Sequence, residues 1–386
     1  MWQIIFQLVP VLAWGVAALV VVRPLRLPRL PSLLAVAALG VAFGKFAFFA
    51  LVGGNGFNPD LPQYVIWAYG WLYGSAMLLA MFAFAAAVFD LAAALARHPV
   101  SIRARRIRVL VLAVIAAVVG FWGVWEGVRV PSVKRVEIVC PGLPQSFDGY
   151  RIVHLSDLHC STAARRGRFE KIVARVNSLK PDLVAITGDF VDGTVAERGD
   201  DLAPLADLRA KDGVWGCTGN HEAYWNWYSW QDVFLQWNVG MLSEMTADHA
   251  GRVIRRGEDA LAVGGLHDPA LHHSSPTWQN AGAAFHNVPE GAFRILLYHR
   301  PYTKAIGSEA ANVRLQLSGH THGGAMPLLR MLVERANEGR SRGLYEFAPG
   351  RFLHVSPGTG QWAGFPLRLF TPAEITELVL HTSKER

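Results

Sequence analysis

The stretch Tyr150-Arg151-Ile152-Val153-His154-Leu155-Ser156-Asp157-Leu158-His159 decides the fold. Its first six residues form an apolar run of the length expected for a buried strand, and the run ends on residues able to hold a metal, Asp157 and His159. Downstream, Phe169, Ile172, Val173, Val176 and Leu179 fall at helical spacing, and Pro181 stops that helix. A second apolar run over 183–186 again ends in polar residues, Thr187-Gly188-Asp189. Strand, helix, strand with polar residues at the carboxyl ends is the βαβ unit of an α/β layered domain. In such sheets, sites form where the strands end.

Working outward, the same pattern recurs. Residues 213–217 lead into Thr218-Gly219-Asn220-His221-Glu222, and residues 260–263 into Gly264-Gly265-Leu266-His267-Asp268. Residues 293–297 lead into Tyr298-His299-Arg300, and 315–317 into Ser318-Gly319-His320-Thr321-His322-Gly323-Gly324. Residues 136–139, 351–355 and 375–380 read as further strands. Gathered from these ends, Asp157, His159, Asp189, Asn220, His299, His320 and His322 supply two carboxylates, one amide and four imidazoles, with no thiolate. Such a set suits two divalent transition-metal ions among Mn, Fe, Zn, Co and Ni. Seven ligands exceed one tetrahedral ion but fit two sharing a bridging carboxylate, a device used for phosphoester cleavage.

The remainder of the 386-residue chain is of another kind. Its composition is 52% hydrophobic and only 17% charged, with a mean hydropathy of +0.23. Three cysteines exclude a disulfide scaffold. Residues 1–130 hold ten Lys/Arg against three acids and so carry the whole net charge of +7; the other 256 residues hold 27 of each sign. The basic balance therefore does not mark a nucleic-acid binder. It sits between apolar runs, which is a membrane signature. Four runs, 2–22, 32–52, 64–89 and 107–128, reach the roughly 20 residues a bilayer core requires. Arginines follow the first run (Arg23, Arg26, Arg29) and lie between the third and fourth (Arg97, Arg103, Arg105, Arg106, Arg108), whereas 53–63 has no basic residue. The positive-inside rule then has the chain start outside, cross four times and leave its C-terminal part extracytoplasmic, in the inner (plasma) membrane. Trp2, Trp14, Trp67, Trp71, Trp122 and Trp125 suit an interfacial belt. Lys45, inside the second run, is expected to snorkel or to make a bundle contact.

The blocks Asp157-Leu158-His159, Gly188-Asp189, Gly219-Asn220-His221-Glu222, His299 and Gly319-His320-Thr321-His322 occur in an order that resembles the calcineurin-like metallophosphoesterase superfamily. The resemblance spans about 165 residues. The wording Ser-Asp-Leu-His and Gly-His-Thr-His-Gly-Gly, with Gly343-Leu344-Tyr345 beyond, is most similar to its membrane-anchored bacterial phosphodiesterases. The resemblance implies a four-layer αββα sandwich over 131–386, preceded by a helical anchor over 1–130. It implies that Asp157, His159 and His322 hold a first metal, that Asn220, His299 and His320 hold a second, and that Asp189 bridges them. His221 corresponds to the family's catalytic histidine and Asp192 to the carboxylate that orients it. The implied reaction is attack of a metal-activated water on a phosphodiester or pyrophosphate, with a lipid-linked substrate suggested by the anchor. Gly193 stands where the protein phosphatases of the superfamily keep an arginine, which speaks against a phosphoprotein substrate. Two alternatives are a UDP-diacylglucosamine-type pyrophosphate hydrolase and a non-catalytic membrane sensor of metal or phospholipid. His154 is expected to be a core histidine, and His272-His273 a surface or rim feature. His267 and Asp268 stand between a supporting role and a plain turn, Cys160 is expected to be an inert buried thiol, and the aromatic residues 224–230 are either core packing or a lip.

Overall fold

The computed structural model describes residues 2–245, 251–271, 279–364 and 367–383, with side chains in the first helix described from Leu8 onward. Chain contacts divide it into two compact units, Met1–Gly127 with Ala363–Leu369, and Val128–Trp362 with Phe370–Arg386.

In the first unit, α1 (Trp2–Ala17) continues through a π turn (Ala18–Val22) and a last turn (Arg23–Leu25), ended by Arg26 in the left-handed region at φ 51°. Then come α2 (Arg29–Phe43), α3 (Lys45–Gly53), α4 (Gln63–Leu95) and α5 (Ile102–Val128). Leu8–Leu25, α4 and α5 are each long and apolar enough to cross a membrane; α2 and α3 meet that test only as a pair bent by 68°. The run expected as a second span is therefore two helices that meet at Gly44. Small residues line the bundle interior (Ala17, Ala42, Ala76, Ala80, Ala83), which lets the backbones approach closely.

Lys45 does not snorkel. It is 1% exposed, and its Nζ donates to the carbonyls of Ala363 (2.7 Å) and Gly364 (3.0 Å) and lies over the Phe46 ring. The bend at Gly44 aims it at an irregular segment whose carbonyls lack a helical partner, and a buried ammonium needs such acceptors. That segment, Ala363–Leu369, falls in the stretch read from sequence as the globular part. Leu367 meets Gly74 and Gly123, where an added Cβ would lie 3.0 and 2.7 Å from its Cδ1. The side chain of Trp2 lies outside the described residues.

The second unit is built on two six-stranded mixed sheets. Its strands are β1 (Ser132–Cys140), β2 (Tyr150–Leu155), β3 (Leu183–Thr187), β4 (Val214–Cys217), β5 (Val239–Met241), β6 (Arg252–Arg256), β7 (Asp259–Gly265), β8 (Phe293–Leu297), β9 (Val313–Ser318), β10 (Gly343–Ala348), β11 (Arg351–Val355) and β12 (Glu374–Thr382). One sheet runs β1-β12-β2-β3-β4-β5, the other β10-β11-β9-β8-β7-β6. Within them, β2, β3 and β4 are mutually parallel, as are β7, β8 and β9, which is why their apolar runs are continuous rather than alternating. Ile152, Leu183 and Ala185 of one sheet pack on Val263, Ile295, Leu315 and Leu317 of the other. Outside the first sheet, α6 (Arg166–Ser178) and α7 (Trp227–Gln236) bury Phe169, Ile172, Val176, Trp230 and Phe234. The layer over the second sheet is lighter, made of short 3-10 turns around Ala284 and Phe285.

Candidate metal centre

The carboxyl ends of β2, β3, β4, β8 and β9 bring the predicted residues together. Among the described residues, three groups of His and Asp each hold ligand atoms within 4.8 Å of one another: Asp157, His159 and His322; His159, Asp189 and His221; Asp189, His299 and His320. Asp189 belongs to two of them. Imidazole nitrogens face each other in two places, His159 Nε2 with His322 Nε2 at 3.1 Å and His299 Nε2 with His320 Nδ1 at 3.2 Å. His299 Nε2 lies 3.2 Å from Asp189 Oδ2, and His322 Nε2 3.6 Å from Asp157 Oδ1. Asp157, His159 and His299 are wholly buried.

Local backbone is bent to achieve this. Asp157, His159, Asp189, His320 and His322 all have positive φ, between 45° and 70°. Left-handed non-glycine residues each carry a conformational cost, and they cluster where surroundings over-determine them. The glycines of the blocks make the close approach possible. A Cβ on Gly319 would lie 1.8 Å from Ser156 Oγ and 2.3 Å from Asp157 Oδ2, and one on Gly219 would lie 2.2 Å from Asp189 Oδ1.

A surrounding set of contacts fixes these side chains. Ser156 Oγ donates to Asp157 Oδ2 (2.6 Å), and the His320 amide donates to both Asp157 oxygens (3.1 Å each). His299 Nδ1 donates to the Thr187 carbonyl at 2.7 Å, directing Nε2 inward. Asp192 pairs with His221 Nδ1 through Oδ1 and with His159 Nδ1 through Oδ2 (3.1 Å), so it orients two imidazoles where the sequence suggested one. The His221 amide donates to Asp189 Oδ1 at 2.8 Å, and its Nε2 stands 3.9 Å from Asp189 Oδ2.

Electrostatics follow from this crowding. Burial opposes ionisation of Asp189 and Asp192, but the neighbouring imidazoles prevail and hold both below the usual carboxylate range. Burial raises Asp157. Burial works against protonating His221 and His299 too, yet Asp189, with Asp192 at His221, lifts them to about 9 and about 10. His320 falls to about 3 through burial and the charge on His299. The protein's own carboxylates thus draw positive charge into the cluster.

A divalent cation suits this donor set. The Oδ1 of Asn220 is buried and has no hydrogen-bond partner, and imidazole nitrogens stand 3.1 and 3.2 Å apart in two pairs, as ligands to a common ion can.

Several residues here were not legible beforehand. Glu222, at the C-terminal side of the Asn220-His221 block, accepts from the amides of Gly219 (2.6 Å), Asp189 (2.9 Å) and Phe190 (2.7 Å). Asp268 forms a two-pronged pair with Arg300 (2.7 and 2.9 Å), and His267 pairs with Glu244 (2.7 Å), so both support loops at the strand ends. Trp362 lies against His221, with ring centroids 6.0 Å apart, and Tyr224 lies at 5.4 Å. The aromatic residues 224–230 divide: Trp230 is buried against Phe234, whereas Tyr224 and Tyr228 are exposed. Cys160 is buried, and burial pushes its thiol well above the usual value, away from reactivity. His154 is buried, as expected of a core histidine, and shares a 3.0 Å hydrogen bond with His354. His272 and His273 lie outside the described residues.

The family model for calcineurin-like phosphoesterases matches residues 150–324. A transmembrane protein with metallophosphoesterase domain from Danio rerio is 32% identical over 274 residues, covering 69% of this chain and 61% of that protein. Uncharacterized metallophosphoesterases are 30% identical in Helicobacter pylori (67% of each chain) and 30% identical in Aquifex aeolicus (63% of this chain, 89% of that one). Among solved structures, the Haemophilus influenzae NAD nucleotidase aligns with a TM-score of 0.37 at 18% identity, over 55% of this chain and 51% of that one. The chain belongs to the calcineurin-like metallophosphoesterases, a family that uses divalent metals. It spans about three fifths of the length of the vertebrate relatives it matches.

Proposed function

We propose that the chain is a membrane-anchored hydrolase of phosphodiester or pyrophosphate bonds, with residues 1–130 as anchor and 131–386 as the catalytic part. The observation that carries this reading is the convergence of Asp157, His159, Asp189, His299, His320 and His322 into overlapping groups that share His159 and Asp189. Asp157, His159 and His322 would hold one divalent ion, Asn220, His299 and His320 a second, with Asp189 common to both. When bound, such ions polarise a phosphoryl group and lower the pKa of water.

The chain's own residues do the rest. His221 Nε2 is the free end of an imidazole whose Nδ1 is taken by Asp192, which fixes its tautomer and raises its proton affinity. It would therefore carry a proton near neutral pH and deliver it to a leaving oxygen. Trp362 and Tyr224 pack edge-on against the His221 ring and add apolar surface beside it, which favours a substrate with an organic group on either side of the phosphate over a bare monoester dianion. The glycine at 193 agrees, since no arginine clamp stands there.

We place the C-terminal part on the extracytoplasmic face of a multi-pass inner-membrane protein. Support comes from Arg106, in the basic first turns of α5, whose Nε donates to the Pro24 carbonyl, in the turn that follows α1, at 3.0 Å. This contact joins the two basic stretches of the bundle, and a crossing by the bent pair α2–α3 followed by one by α4 would bring them to the same side. Green fluorescent protein fused at the C-terminus should stay dark and alkaline phosphatase should be active; the reverse overturns the topology.

The activity is tested with bis(p-nitrophenyl) phosphate and Mn, comparing wild type with His221→Ala. A rate lost in the variant supports hydrolysis at this centre. Equal rates, or none in either, would support instead a non-catalytic sensor.

A further inference from the structure

The helical unit contains a cavity of about 550 Å³ bounded by the end of α1, the last turns of α4 and the first turns of α5. Its polar wall carries Arg23, Arg26, Arg105 and Arg108 against a single acid, Asp90, leaving three unbalanced positive charges. Asp90 Oδ2 accepts from Arg108 Nη2 at 2.6 Å and lies 3.2 Å from Arg105 Nε. Arg108 Nε is buried and has no hydrogen-bond partner. The rest of the lining is mostly apolar, and Ala83, Ala86, Ala87 and Ala94 leave room along α4 beside Asp90. A second cavity of about 300 Å³ shares Ala86, Arg108 and Leu112 with the first and is otherwise lined by Phe82, Ala85 and Phe89. Arg108 therefore lines both a strongly basic cavity and a largely apolar groove next to it.

An occupant must present a phosphate-like anion and hydrocarbon next to each other. We propose that this cavity binds an anionic phospholipid, with its phosphate among the guanidinium groups and an acyl chain along Ala86 and Leu112. Guanidinium forks match phosphate oxygens in pairs, and basic pockets between membrane helices suit anionic headgroups. A free phosphate would use the arginines but leave the adjoining groove uncovered. The site is separate from the His/Asp centre and does not rest on the reading given to that centre.

The full chain in neutral detergent is titrated with phosphatidylglycerol, phosphatidylcholine and inorganic phosphate, and bound lipid is counted by native mass spectrometry. Phosphatidylglycerol should bind more tightly than phosphatidylcholine. Each guanidinium lost should reduce that preference about fivefold, so Arg108→Gln lowers it about fivefold and the Arg105→Gln/Arg108→Gln pair about twenty-five-fold. Ala86→Trp keeps every charge but fills the groove, and should weaken phosphatidylglycerol about tenfold or more. It also serves where an arginine variant fails to fold. Equal affinity of the wild type for both lipids would overturn the proposal, as would an undiminished preference in a folded Arg108→Gln protein. Full phosphatidylglycerol binding by Ala86→Trp, or equal competition by inorganic phosphate at matched concentration, would reduce the cavity to an anion site and sink the lipid assignment.

Discussion

Replacing Glu222 tests how the Asn220-His221 block is held. Its carboxylate is wholly buried and accepts three backbone amides, those of Gly219, Asp189 and Phe190, two of them adjoining candidate ligands. Hydrogen bonds to a charged acceptor contribute about 1.5–3 kcal/mol each, so three amount to about 5–9 kcal/mol. Against this, burial and the nearby Asp189 charge raise Glu222 from 4.5 to about 7, which offsets about 3 kcal/mol once the group is ionised. Glu222→Ala should therefore destabilise the second unit by about 2–6 kcal/mol. Glu222→Gln should cost about half as much, because its amide turns one acceptor into a donor facing an N–H. The folded-state pKa lies above the free value, so this group's own contribution is fullest below pH 4.5 and shrinks as pH rises through 7. The assay is urea unfolding of the full chain in detergent with EDTA, followed by near-ultraviolet circular dichroism at pH 5.5 and 8. An alanine variant within about 1 kcal/mol of wild type at both pH values would refute the reasoning.

Asp192→Asn should cut metal affinity and turnover about 10–100-fold, because His159 and His221 both lose a charged acceptor; isothermal titration with Mn and the diester assay check it. Gly319→Ala should destabilise by about 1–3 kcal/mol and weaken metal binding, since its Cβ would meet Ser156 and Asp157; thermal unfolding with and without Mn separates the two effects. Burial holds His154 well below its usual pKa and His354 down to about 3, so unfolding, not the native state, takes up their protons in acid. Stability should thus fall as pH drops from 6.5 toward 3, by up to about 1.4 kcal/mol per pH unit for each histidine. His354→Leu should remove one such increment from the slope, read from unfolding midpoints between pH 4 and 6.

What the sequence disclosed follows from locality. A parallel strand and the residues just past it are adjacent in the chain, so an apolar run ending in Asp, Asn or His shows both the strand and its candidate ligand. Because β2, β3 and β4, and likewise β7, β8 and β9, run parallel, their ends share an edge, and residues 165 apart in sequence meet. What stayed hidden depends on distant partners or on backbone shape. The His154–His354 pair joins residues 200 apart, and Lys45 meets carbonyls 318 and 319 residues away. Neither contact leaves a periodic trace. Asp192 could be read as the partner of His221 by resemblance, but its second bond to His159 needs the fold. Edge strands β5 and β6 escaped because one is three residues long and the other, Arg252-Val253-Ile254-Arg255-Arg256, is mostly charged. The bend at Gly44 was not read because the run is long enough for one straight span and is interrupted only by Lys45.

Metal content of the intact chain is the most direct check on the account. Protein loaded with Mn, passed through a desalting column and measured by inductively coupled plasma mass spectrometry should carry two ions per chain. Asp189→Ala, which removes the carboxylate common to both groups, should carry fewer than one. No stoichiometric metal in the folded wild type, or two ions retained in Asp189→Ala, would contradict a centre built around Asp189.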